Sequence, residues 1–211
     1  MLPLLVLLAW QQASPPLPRV LLIGDSISIG YTAAVREMLR GVAEVERPPV
    51  NCGSSGRGVQ EIDKWVGDRH WDVIHFNFGL HDAVPSANPE AHVRQYVENL
   101  RKIVARLEET GAKLIWANTT PLPGDVMMRD GKPAKYQKDV LALNAAARAL
   151  MEERGIAVND LYGFALPRLK ELQIDGDMHF REEGSRRLGD EVAASVRATL
   201  GSLNHVKTTG R

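Results

Sequence analysis

The sequence predicts an α/β protein: a parallel sheet covered by helices on both faces. Three observations lead to it. Short apolar segments recur along the chain, amphipathic stretches of helical periodicity separate them, and small polar or titratable residues collect just after each apolar segment. Strands that are buried on both faces read as nearly unbroken apolar runs, and parallel neighbours need a crossover helix between them.

Taken in order, residues 1–16, MLPLLVLLAWQQASPP, open with an apolar run that gives way to small and polar residues. This is the pattern of a secretory signal core, too short to cross a bilayer as a helix. No Lys or Arg precedes the run and Pro3 interrupts it, so a plain hydrophobic extension is the rival reading. The expected layout is a signal peptide or hydrophobic extension over 1–17, a folded domain over 18–204 and a loose tail over 205–211. An exported chain of this kind is expected to be secreted or periplasmic, with no stable membrane insertion.

Residues 19–24, RVLLIG, form the first expected strand, which breaks at Gly24-Asp25-Ser26 and turns into a helical stretch. Residues 43–47, 72–79, 113–120 and 155–160 supply the other expected strands, the first of these weak. Between Pro89 and Glu109, apolar Val93, Tyr96, Val97, Leu100, Ile103, Val104 and Leu107 recur at three- and four-residue spacing, and Gly111 follows as a stop. An Ala- and Leu-rich run from Lys135 to Arg154 behaves the same way before Gly155. A last helix is expected from about Glu182 to Leu200. The segment from Thr120 to Lys135 carries Pro121, Pro123, Gly124 and Gly131 and reads as a long exposed loop.

A chain of 211 residues, 44% hydrophobic and 25% charged, can bury one sizeable core, and no repeat or compositional break divides it. Lys plus Arg and Asp plus Glu both number 26, so no net basic field draws the chain to nucleic acid. Cys52 is the sole cysteine, which excludes an intrachain disulfide and a Cys-rich zinc site.

In open parallel sheets ligands bind beyond the carboxyl ends of the strands. Those ends carry Gly24-Asp25-Ser26, then Asn51-Cys52-Gly53-Ser54-Ser55-Gly56, then Gly79-Leu80-His81-Asp82, then Asn118-Thr119-Thr120-Pro121, and last Asp175-Gly176-Asp177-Met178-His179. With these blocks in this order, the chain from about Arg19 to Leu200 resembles the SGNH hydrolases, also called the GDSL esterase and lipase family. The resemblance implies a flavodoxin-like three-layer α/β/α sandwich with about five parallel strands. It also implies a serine esterase that forms an acyl-enzyme and needs no cofactor and no metal.

The residues agree with that chemistry. Ser26 stands at a strand-to-helix turn, where a hydroxyl can serve as nucleophile, although Ser26 or Asp25 could equally be a helix cap there. His179, just before the last helix, is the candidate base. The family's acid stands three residues before that histidine, where this chain has Gly176. Asp177 is the favoured replacement, Asp175 the alternative, and a Ser/His dyad oriented by a backbone carbonyl the third option. For the oxyanion, the resemblance nominates the backbone N–H groups of Ser26 and Gly56 and the side chain of His81. His81 replaces the family's asparagine; its imidazole can donate one N–H, and Asp82 next to it could hold the ring. The plainer readings are a flexible turn at Gly56 and a loop histidine at His81.

His75 and Asn77 lie within a strand and are expected to be buried, satisfied polar groups, and Cys52 to be a packing residue. Trp65, Trp71 and Trp116 are expected in the core, with a pocket-lining role as the alternative. A phosphate-binding loop is disfavoured, because neither GxGxxG nor GxxxxGK[ST] occurs and Asp25 would repel the anion. A metal held by His81, Asp82, Asp177 and His179 lacks any close ligand spacing. The expected partner is a small-molecule or carbohydrate ester. The rival function is a catalytically weak carbohydrate-binding member of the same fold.

Overall fold

The computed structural model describes residues 16–209. The apolar run at the start of the chain therefore lies outside the described residues. The first strand, β1 (Arg19–Ile23), is apolar and buried from Val20 onward. It leads into α1 (Ser26–Met38), followed by β2 (Glu44–Glu46), α2 (Ser55–Val66), β3 (Val73–Phe76), α3 (Pro89–Glu108) and β4 (Lys113–Ala117). A hairpin of β5 (Val126–Arg129) and β6 (Lys132–Tyr136) comes next. Then come α4 (Gln137–Glu153), β7 (Ala157–Asn159), two short helices α5 (Leu161–Ala165) and α6 (Leu169–Leu172), and the long α7 (Glu182–Thr209).

Five strands form one parallel sheet in the order β2-β1-β3-β4-β7, with Val20 opposite both Val45 and Val73, and His75 opposite Leu22 and Ile115. Helices α1 and α7 pack together against one face, and α2, α3 and α4 pack in a row against the other. This is the three-layer α/β arrangement expected from the alternation of apolar and amphipathic segments. Apolar faces of the helices supply the outer halves of the core, such as Tyr96, Leu100, Ile103, Val104 and Leu107 of α3. Trp116 in β4 is fully buried, and Trp65 stacks on Phe78 with ring centroids 6.4 Å apart. Trp65 and Trp71 also floor a pocket of about 340 Å³ beside the edge strand, whose lining does not include Ser26, Asp177 or His179.

Two expectations change. The segment read as an exposed loop up to Lys135 contains the antiparallel hairpin, so α4 begins at Gln137 rather than at Lys135. Gly131 permits the tight reversal with a φ of 73°, and the hairpin's own ladder satisfies a backbone that a loop would leave to water. The expected tail is helical instead: α7 continues to Thr209. No proline interrupts residues 182–209, so nothing in the backbone stops the hydrogen-bond ladder at Leu200.

His75 behaves as a buried polar residue. Its Nε2 lies 3.1 Å from Asn159 Oδ1, and complete burial pushes its pKa down to about 4, so the ring is neutral at physiological pH. The Asn77 amide donates to the Ala117 carbonyl at 2.8 Å. Cys52 is buried, its N–H donates to the Gly24 carbonyl at 3.1 Å, and burial pushes its thiol up.

Candidate active site

At the end of β1 the chain turns through Gly24 into α1. A Cβ on Gly24 would stand 2.7 Å from Ser28 Cβ, so only glycine lets the strand enter the helix this tightly. Asp25 is the N-cap of α1, its Oδ1 accepting the Ile27 N–H at 3.0 Å. Ser26 is the first residue of α1 and its hydroxyl does not cap the helix. That hydroxyl points instead across the sheet's carboxyl edge, and its Oγ lies 2.9 Å from His179 Nε2.

His179 is carried by the loop between α6 and α7. Ile174 N–H donates to the His179 carbonyl at 2.9 Å and Asp177 N–H to the Ile174 carbonyl at 3.0 Å, closing a turn in which Gly176 has a φ of 71°. Within this turn Asp177 Oδ1 lies 2.7 Å from His179 Nδ1 and accepts the His179 backbone N–H at 3.0 Å. The contact to Nδ1 favours the tautomer with the proton there, which leaves Nε2 free to accept the Ser26 hydroxyl proton. Asp175 points away and pairs with Arg181 at 3.0 Å. Partial burial pushes the Asp177 carboxyl up, but hydrogen bonds from the His179 backbone and ring, with the nearby imidazole, outweigh it and hold the carboxyl below its ordinary range.

Ser54 caps α2, and Ser55 and Gly56 form its first turn. Among the described residues no acceptor takes the backbone N–H of Ser26 or of Gly56, so both remain available at helix N-termini. The third block follows β3. Gly79 has a φ of 146°, and a Cβ there would meet Thr119 Oγ1 at 2.2 Å, so this sharp exit from the sheet requires glycine. The turn that follows is closed by the N–H groups of Asp82 and Ala83, both donating to the Gly79 carbonyl at 3.0 and 2.7 Å.

His81 is exposed on that turn and makes no hydrogen bond to the described residues. The expectation that Asp82 holds His81 is overturned. The Asp82 carboxylate is buried and accepts the Ser55 hydroxyl at 2.6 Å and the Ser55 N–H at 3.0 and 3.1 Å, tying the third block to the helix that carries Gly56. A carboxylate chooses this partner because Ser55 offers two donors at one place, and adjacent side chains on a tight turn point apart. Three further residues position the site with no motif to flag them. Asn99 Nδ2 donates to Ser55 Oγ at 3.0 Å, and Asn144 bonds both backbone groups of Thr119 at 2.8 Å. Gln173 Nε2 reaches the Pro121 and Met178 carbonyls at 2.9 and 3.2 Å, bracing the His179 loop.

Asp25 carries a tension. Burial pushes its carboxyl up, against the Ile27 N–H, the neighbouring His81, the Ser28 N–H and His179, and its Oδ2 has no partner among the described residues. A carboxyl whose folded value exceeds its ordinary 3.8 binds protons more readily when folded, so stability is highest below that value and is lost as pH rises through the raised one. Asp25→Asn keeps the cap and removes the buried charge. We expect its Tm to exceed that of the parent at pH 7 and to match it near pH 3. An unpaired buried acceptor costs about 1–3 kcal/mol, and each kcal/mol reads as roughly 2–4 °C at this chain length. Equal melting temperatures at both pH values would remove the argument.

Among the described residues no group of three or more His, Cys, Asp or Glu side chains is arranged to hold a metal ion. The arrangement joins a hydroxyl, an imidazole and a carboxylate in line at the carboxyl edge of the sheet.

Residues 22–187 match the model of the GDSL-like Lipase/Acylhydrolase family. No curated protein matches the chain in sequence. A lipase/acylhydrolase from Enterococcus faecalis has a similar structure at 20% identity and a TM-score of 0.70, covering 86% of this chain and 96% of that one. An acetyl xylan esterase is similar at 17% identity and a TM-score of 0.67, covering 84% and 99%. A carbohydrate esterase family 3 structure from Talaromyces cellulolyticus is similar at 14% identity and a TM-score of 0.67, covering 88% and 99%. At these identities the structural likeness is one of fold, and the family match spans most of the sequence. By that family match the chain belongs to the GDSL-like lipase/acylhydrolase family, the SGNH hydrolases.

Proposed function

We propose that this protein is a serine esterase that cleaves short acyl or acetyl esters, with acetylated carbohydrate as its substrate class. The observation that carries the reading is the continuous contact from Ser26 Oγ through the His179 ring to Asp177. A module that merely binds sugar has no need of that line.

In the proposed reaction His179 Nε2 takes the Ser26 proton as Oγ bonds to the ester carbonyl carbon. The resulting oxyanion is held by the N–H groups of Ser26 and Gly56 and by the His81 side chain. As the carbon–oxygen bond to the alcohol breaks, His179 returns the proton to the departing oxygen and an acyl-enzyme remains. Water then gives a proton to His179, attacks the acyl carbon, and expels Ser26, which regains its proton. Asp177 keeps the imidazole in the required tautomer and stabilises its charged form.

The catalytic side chains are half exposed, at 43% for His179 and 47% for Asp177, which suits an alcohol portion as bulky as a sugar. The acetyl xylan esterase and the carbohydrate esterase that share the fold lend support to this substrate class. We read residues 18–204 as the hydrolase domain, exported behind the apolar run at the start of the chain.

The test is hydrolysis of p-nitrophenyl acetate and butyrate, with a fluorophosphonate as covalent probe. We expect turnover of both, and one equivalent of probe on the peptide containing Ser26, with turnover lost in step. Turnover that survives stoichiometric labelling would refute the serine mechanism.

A further inference from the structure

Lys135 is buried, an uncommon position for lysine, and its ammonium donates to the Leu80 carbonyl at 2.5 Å and the Ala83 carbonyl at 3.2 Å. These two carbonyls stand on either side of His81 and Asp82. Lys135 comes from β6 of the hairpin, opposite Met127, and on the other strand Met127 is the only buried side chain. The hairpin is otherwise largely exposed, so Lys135 and Met127 are its inward anchors. Among the described residues no carboxylate forms an ion pair with the ammonium; Arg129, Asp82 and Asp25 are the charged groups near enough to act on it at longer range.

An apolar side chain in its place would avoid the ammonium's desolvation but would strand two buried carbonyls, so the contact holds this turn in place. Its effect is local. The Asp82 side chain is already held by Ser55, its carbonyl by His92 Nε2 at 2.6 Å, and the turn's N–H groups by Gly79. Among the described residues the His81 side chain has no hydrogen-bond partner, so its direction depends on the backbone on either side of it.

We propose that Lys135 is a positioning residue for the oxyanion site: by clamping the Leu80 and Ala83 carbonyls it sets the backbone that aims His81. The proposal rests on the esterase reading and on the role given there to His81. The family's asparagine position is occupied here by a ring that depends on its backbone for direction, and the hairpin supplies the brace.

The test is a double-mutant cycle on p-nitrophenyl acetate, with Lys135→Met and His81→Ala alone and together, and kcat expressed per fluorophosphonate-titrated site so that unfolded protein does not count. Removing one oxyanion donor lowers kcat by about 10²–10³-fold, and misaiming one should forfeit part of that. We expect Lys135→Met to lower kcat by roughly 10- to 100-fold, with KM within about twofold; Tm should fall as well, because two buried carbonyls lose their donor, and kcat per titrated site separates positioning from stability. Lys135→Arg should restore most of the loss, since a guanidinium can reach both carbonyls. In the His81→Ala background the same Lys135→Met change should cost less than about twofold.

Parental kcat in Lys135→Met, or an equal loss in both backgrounds, overturns the proposal. If His81→Ala alone keeps parental kcat, the oxyanion role of His81 fails, and the proposal with it. If His81→Ala lowers kcat while Lys135→Met does not, the positioning role alone fails. Should Lys135→Met give no titratable protein, Lys135→Gln, which keeps an amide donor, takes its place in the same cycle and is read the same way.

Discussion

Replacing Ser26 with alanine is expected to lower kcat for p-nitrophenyl acetate by about 10⁴–10⁶-fold while leaving the fold intact. The size follows from what disappears. Without Oγ, the His179 base has no hydroxyl to deprotonate and the acyl-enzyme route is closed, leaving only water attack aided by the oxyanion donors. The fold survives because the α1 cap is the Asp25 carboxylate, not the Ser26 hydroxyl. Removing a real serine cap would instead cost about 1 kcal/mol of stability and leave chemistry unaffected. Activity and melting temperature thus separate the two roles. A Ser26→Ala protein that loses stability but keeps turnover would show that the hydroxyl at the end of the strand is structural.

Asp177→Asn carries the second large effect, a fall in kcat of about 10³–10⁴-fold, against less than about twofold for Asp175→Asn. The two residues flank the same glycine, so they share composition, loop and distance along the chain from His179 to within two positions. Only Asp177 touches the ring, at 2.7 Å, whereas the Asp175 side chain is 91% exposed and engages Arg181 in a surface pair. An amide at 177 can present its NH₂ to Nδ1, which favours the tautomer with the proton on Nε2, where it cannot accept from Ser26. The carboxyl of Asp177 is held below the ordinary carboxylate range, so its contribution is complete above that range and disappears only as pH falls through the depressed value. Over mildly acidic pH Asp177 therefore stays charged, and Asp177→Asn should lower kcat/KM by a similar factor throughout that range. Parental kcat in Asp177→Asn, or a larger loss in Asp175→Asn, would show that the carboxylate against the ring is not the acid.

Both effects exceed that of His81, whose role is shared with two backbone donors. The same holds for Lys135, which acts through it. The three proposed donors differ in how firmly they are held. Ser26 and Gly56 present N–H groups from the first turns of α1 and α2, while His81 stands on a turn fixed by Gly79, Ser55 and Lys135.

The sequence by itself determined the layered α/β architecture, because strand and helix signals are local. Val20 to Ile23 form a buried run, and the α3 stripe repeats every three or four residues whatever the distant chain does. It also determined where chemistry could lie, since small and titratable residues follow strands where a parallel sheet opens its carboxyl edge. Tertiary structure alone decided partners, because those depend on residues far apart in the chain. Ser26 meets His179 across 153 positions, Asp82 takes Ser55 across 27 in place of its neighbour His81, and Lys135 reaches Leu80 across 55. Between Asp175 and Asp177 composition is neutral, and the turn about Gly176 made the choice. The hairpin was illegible for the same reason: its prolines and glycines read locally as loop, while its ladder and the inward contacts of Met127 and Lys135 form only in the folded chain.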